Sequence, residues 1–134
     1  MSPRFGAGAY ASVGVESNVL AATPSQLINM LFDGAGVAIR TAGMHMQAGR
    51  MAPKGEAISR ALDIVNNGLL AALDVERGGE LAQRLASLYD YIARRLLSAN
   101  LNNDRAALDE AGQLLEEIGS AWREITPRTA HQPS

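Results

Sequence analysis

Three features of this chain carry residue types that could do chemistry. The stretch "VERGGE", Val75 to Glu80, sets two adjacent glycines among three charges. Such a pair can cradle a phosphate when a strand precedes it and a helix N-terminus follows. The stretch "MHM" places His45 between Met44 and Met46, and the carboxylates of Asp33, Asp63, Asp74, Asp90 and several glutamates near the C-terminus could act as acids or bases. Each of these weakens in context. A helical pattern, not a strand, leads into Val75, and the Lys and Ser/Thr of a phosphate loop do not follow. Successive residues on a helix point about 100° apart, so His45 and its two thioethers cannot converge on one ion. No Glu-x-x-His pair of the di-iron bundles is present, and the other histidine, His131, lies near the C-terminus. The carboxylates fall mostly on polar helix faces, where solvation is their ordinary role. No catalytic residue, metal site or cofactor is therefore expected. A bundle enzyme or phosphorelay module built on His45 stays as a rival reading.

Composition narrows the partners. A net charge of -2, from 12 basic and 14 acidic side chains mixed along 134 residues, provides no basic field for nucleic acid. The absence of cysteine excludes disulfides and thiol chemistry and fits a reducing compartment. No apolar run approaches the roughly 20 residues that span a bilayer, and the N-terminus lacks a secretory pattern. A soluble cytoplasmic protein of one domain is expected, and with 47% hydrophobic but only 4% aromatic residues it should be helical.

These features rest on four predicted helices. Residues 1–22 are rich in Gly, Ala and Ser and read as an arm or short helix, with Tyr10 and Val13 among its few apolar anchors. Thr23, Pro24 and Gln26 form a capping box in front of an apolar run, so the first helix should span Pro24 to about Ala48, with Gly49 as its stop. The second should run from Pro53 to near Glu76, the third from Leu81 to near Asn100, and the fourth from Arg105 to Ile125. Gly78 and Gly79 are then expected to supply the positive φ angles that end the second helix, with Glu80 in the first turn of the third. An all-α antiparallel four-helix bundle over residues 23–126, with the arm before it and a disordered tail over 127–134, is the economical fold.

A bundle helix needs one apolar stripe, and two of these helices have a second. On the first, Met30, Val37 and Met44 recur every seven residues, nearly opposite the core face; on the second, Ala57, Ile64 and Ala71 do the same. The fourth shows only polar residues on its reverse side, Asp109, Gln113 and Glu116 among them. One reading buries the extra stripes under the arm or in irregular packing. The other makes them a hydrophobic groove over the first two helices that accepts an amphipathic helix from a partner. Methionine suits such a surface because it adapts to uneven partners. Arg84, Arg94, Arg95 and Tyr91 form a small cationic patch on the third helix that could rim it. A homodimer whose stripes cover one another is a third reading.

Several stretches taken in order, "AYASVGVES", "ATPSQLINMLFDGA", "LDVERGGELAQRLASLYDYIARRLLSANLNND" and "LDEAGQLLEEIGSAWREI", resemble the flagellar secretion chaperone family, FliS. The resemblance covers about residues 9 to 127. It implies a cytoplasmic helical bundle without enzymatic activity that binds the C-terminal segment of newly made flagellin, prevents premature polymerisation and supports delivery to the flagellar type III export apparatus. The export gate and regulatory proteins are further partners in that setting. By matching positions, Tyr10 becomes an arm anchor. With Val13 and Tyr91 beside it, and Met30, Val37, Met44 and Ile64 in the groove, it completes the expected partner-binding set.

Overall fold

The computed structural model describes residues 22–125, and these are all helical apart from short turns. Four helices follow one another: α1 (Pro24–Gln47), α2 (Met51–Asp63), α3 (Val75–Asn102) and α4 (Arg105–Ile125), with a π-helical segment, Ile64–Leu70, continuing α2. Tyr10 and Val13, with the rest of the arm and the tail, lie outside the described residues.

Local chemistry explains most helix ends. The Gln26 N–H donates to Thr23 Oγ1 at 3.1 Å and the Thr23 N–H donates to Gln26 Oε1 at 2.8 Å, the reciprocal pair that starts α1. Gly49 ends it with a φ of +76°, a conformation in which a side chain would crowd the backbone. Asp104 caps α4 by accepting from the Ala107 N–H at 3.2 Å, after Asn103 has turned the chain in the left-handed region.

The second helix departs from expectation. It begins at Met51, widens to π geometry at Ile64 and ends at Leu70, six residues short of Glu76. Its core residues Ala57, Ala61, Val65 and Leu69 are spaced by four and all buried. Each such step overshoots a full turn by about 40° in an α-helix, and the wider π turn takes back part of that drift. Gly68 permits the close approach this requires, since a Cβ there would stand 3.0 Å from the Leu31 side chain.

The Gly-Gly corner is also not where the sequence placed it. Asp74 accepts from the Arg77 N–H at 3.1 Å and starts α3 at Val75, so both glycines fall inside α3. Only Gly79 takes a positive φ, +58°, and it kinks α3 rather than ending α2. Gly78 is instead required for space, because a Cβ on it would lie 2.6 Å from that of Ala82. Glu80 follows the kink, and the acidic residue of the first turn is Glu76.

The helices pack as a bundle in which α1 meets both α2 and α4. Against α4, Phe32 faces Gly119, Ile39 faces Gly112 and Gly43 faces Arg105; against α2 and its extension, Leu31 faces Gly68 and Gly34 faces Ile64. Rising numbers on α1 meet falling numbers on both neighbours, so α1 runs antiparallel to each. Ile58, Val65, Leu69, Ile92, Leu96 and Leu108 fill the interior, and the rings of Phe32 and Tyr89 meet across it at 6.5 Å.

Lys54 is buried, only 4% exposed. Its ammonium donates to the Asn100 carbonyl at 3.1 Å and to Asn103 Oδ1 at 3.3 Å. A cation placed on the C-terminal carbonyls of α3 is favoured by the helix dipole as well as by these bonds.

Candidate functional site

A surface cavity of about 670 Å³ opens between α1 and α4. Its floor comes from Phe32, Ile39 and Leu115 together with four glycines, Gly36 and Gly43 on α1 and Gly112 and Gly119 on α4. In each pair the glycines stand seven residues apart and so stack on one helix face, where Gly43, Gly112 and Gly119 receive the side chains of Arg105, Ile39 and Phe32 from the facing helix. Val37 and Met44 form the α1 wall and stand 53% and 64% exposed. The opposite wall is polar, with Asp109, Gln113, Glu116 and Arg123.

This cavity lies between the first and fourth helices, whereas the sequence suggested a groove over the first and second. Of the partner-binding residues expected from the sequence, Val37 and Met44 share this cavity. Met30, one heptad earlier, is half-buried and outside its lining. Ile64 is turned inward, packed on the core with its Cδ1 3.3 Å from where a Gly34 Cβ would be. The stripe it was to share is dispersed, because Ala57 is fully buried while Ala71 is exposed. Ala57 and Ile64, joined by regular helix, share its inward face, and only Ala71, beyond the π segment, falls out of phase with them.

Tyr91 sits on α3, away from the cavity, where its hydroxyl donates to Glu110 Oε2 at 2.8 Å. That bond raises its pKa, since the carboxylate stabilises the protonated phenol. The cationic patch around it is neutralised: Arg95 meets Glu110 at 2.7 Å, Arg94 meets Asp90 at 3.1 Å and Arg84 meets Glu80 at 3.2 Å. Tyr89 is buried in the core, and loss of solvation pushes its pKa up to about 12.

Sequence reasoning passed over the wall on α4 because Asp109, Gln113 and Glu116 read as a solvated face. A signal was present in Gly112 and Gly119, whose heptad spacing marks close approach of another helix and matches that of Gly36 and Gly43. His45 is half-buried, with its Nδ1 lacking a hydrogen-bond partner among the described residues. No cluster of His, Asp or Glu among the described residues could hold a metal ion, and none of their helices is long and apolar enough to cross a membrane.

Comparison with known proteins identifies the family. The family model described as flagellar protein FliS matches residues 6–129. The flagellar secretion chaperone FliS of Salmonella typhimurium (strain LT2) is 51% identical over 129 residues, which cover 96% of each chain. Its namesake in Escherichia coli (strain K12) is 44% identical over 130 residues, again 96% of each. That of Vibrio cholerae is 38% identical over 119 residues, 89% of this chain and 87% of the other. This chain belongs to the FliS family, a family of flagellar secretion chaperones and not of enzymes.

Proposed function

We propose that this protein binds the C-terminal segment of flagellin in the groove between α1 and α4, in the cytoplasm, and so prevents premature polymerisation and supports delivery to the flagellar type III export apparatus. The observation that carries this reading is the exposure of Val37 and Met44 above a glycine-floored cavity. A disordered segment that folds on this surface loses chain entropy and regains free energy by burying an apolar helix face. Met30 extends the apolar surface past the end of the cavity, and Tyr10 and Val13 of the arm and Tyr91 of α3 complete the partner-binding set. The loaded complex is what the export gate and regulatory proteins would meet.

The test is retention of flagellin by tagged Val37→Asp and Met44→Asp variants, with flagellin lacking its last 40 or so residues, about two or three helices of usual size, as the negative control. Each large anchor contributes about 1.5 to 3 kcal/mol, so each variant should lose about 10- to 150-fold in affinity while its helical content stays unchanged. Undiminished binding by both variants would place the flagellin site elsewhere. Ile64→Asp is not a clean probe, because Ile64 packs on the core and its loss would unfold the bundle. Light scattering of the free protein distinguishes this reading from a homodimer that hides the groove.

A further inference from the structure

The groove is rimmed by three arginines and three carboxylates, and their pairing leaves one cation over. Arg123 lies 3.9 Å from Asp33 and 3.7 Å from Glu116, so it serves two of the acids. Arg105 holds the third, Asp109, at 3.0 Å and donates from Nη1 to the Gly43 carbonyl at 3.3 Å. Arg40 has no carboxylate within ion-pair distance among the described residues. Helical side chains lean toward the N-terminus, and Arg40 does so: its Nη1 would stand 3.4 Å from a Cβ built on Gly36, one turn earlier. The unpaired guanidinium therefore lies over Gly36, at the level of Val37 and about two turns before Met44.

In the free protein water satisfies an exposed arginine. A helix laid on Val37 and Met44 strips water from that wall, and a desolvated guanidinium left without an acceptor is strongly unfavourable. Its planar fork of donors is matched by a carboxylate, which can accept two parallel hydrogen bonds. We propose that Arg40 is the specificity determinant of the groove: it receives an Asp or Glu side chain from the docked amphipathic helix and fixes that helix's register along α1. The inference rests on the flagellin reading of the groove. Because the guanidinium lies at the level of Gly36, the carboxylate belongs beside the partner's anchor over Val37 and about two helical turns from its anchor over Met44.

The experiment measures binding of purified flagellin to the full chain by calorimetry for Arg40→Ala, Arg40→Glu, Arg40→Lys and Val37→Asp, each checked for folding by circular dichroism. Arg94→Ala, which breaks an exposed pair on α3, is the control and should bind as the parent does. Truncating one partner of a charge pair buried on binding should weaken Arg40→Ala by about 30-fold or more. Arg40→Glu should weaken it further, and Arg40→Lys should recover part of the loss as a point charge without the fork. Asp or Glu residues of the flagellin C-terminal segment are then changed singly to Lys, and one of them should restore binding to Arg40→Glu. If Val37→Asp abolishes binding while Arg40→Glu stays within about 2-fold of the parent, the effect expected of a solvated surface charge, the inference is overturned and the groove stands. If neither matters, the flagellin reading falls and takes the inference with it. Loss without rescue by any single Lys refutes the carboxylate assignment.

Discussion

Replacing Gly36 by alanine and by leucine should raise the stability of the bundle and lower its affinity for flagellin, two effects that usually move together. Gly36 lies within α1 on the floor of the groove, and a Cβ there meets only the flexible tip of Arg40, at 3.4 Å. Its φ is not positive, so a side chain adds no backbone strain. Glycine in a helix interior costs about 1 kcal/mol relative to alanine, and Gly36→Ala should recover most of it. For a chain of this size that raises the melting temperature by about 3 to 6 °C. Leucine should be similarly well tolerated, yet it fills the floor and evicts one anchoring side chain of the partner. Losing such an anchor amounts to about 1.5 to 3 kcal/mol, or about 10- to 150-fold in affinity. Thermal melting by circular dichroism and titration of flagellin by calorimetry read the two effects separately. Gly119→Ala supplies the contrast, because its Cβ would come within 3.2 Å of the Phe32 ring, and overpacking of that kind costs about 1 to 3 kcal/mol. A stable Gly36→Leu that binds flagellin as tightly as the parent would refute the assignment of this groove.

Two further outcomes concern the scaffold. Lys54→Met keeps the buried stem but leaves the Asn100 carbonyl without its donor, so urea unfolding should show a loss of about 1 to 3 kcal/mol; Lys54→Ala should lose more through the cavity it opens. Burial pushes the Tyr89 phenol from its ordinary pKa of 10.0 up to about 12. Between those values the unfolded chain has released the phenolic proton while the native state keeps it, so stability falls as pH rises through that window. The loss should be about 1 to 2 kcal/mol, somewhat less than the full shift implies because the ring is not wholly shielded. Tyr89→Phe should abolish that component of the alkaline decline, and absorbance near 295 nm should show one tyrosine ionising late in the parent.

What was legible in the sequence depended on interactions between near neighbours. The capping box of Thr23 and Gln26 and the stop at Gly49 both involve groups within a few residues of one another, so residue type and spacing determine them. The core face of α1 and the span of α4 were readable for the same reason, since a regular helix converts spacing directly into direction. Of the heptad of Met30, Val37 and Met44, the latter two are exposed and share the cavity while Met30 is half-buried outside it.

The errors began where direction depended on distant packing. Beyond Asp63 the helix widens so that Val65 and Leu69 remain in a core made with other helices and Gly68 can receive Leu31. No local pattern announces that change of phase, and it takes Ala71 out of line with Ala57 and Ile64. The polar face of α4 became a wall of the groove only because Gly112 and Gly119 draw α4 onto Ile39 and Phe32, more than seventy residues away in the chain. The burial of Lys54 likewise depends on α3 ending beside it. By itself, then, the sequence determined the helices, their caps and the family, all of which rest on residue identity and short-range geometry. The location of the groove, the unpaired state of Arg40 and the inward turn of Ile64 were decided by which helix faces meet, a property of the packed bundle as a whole.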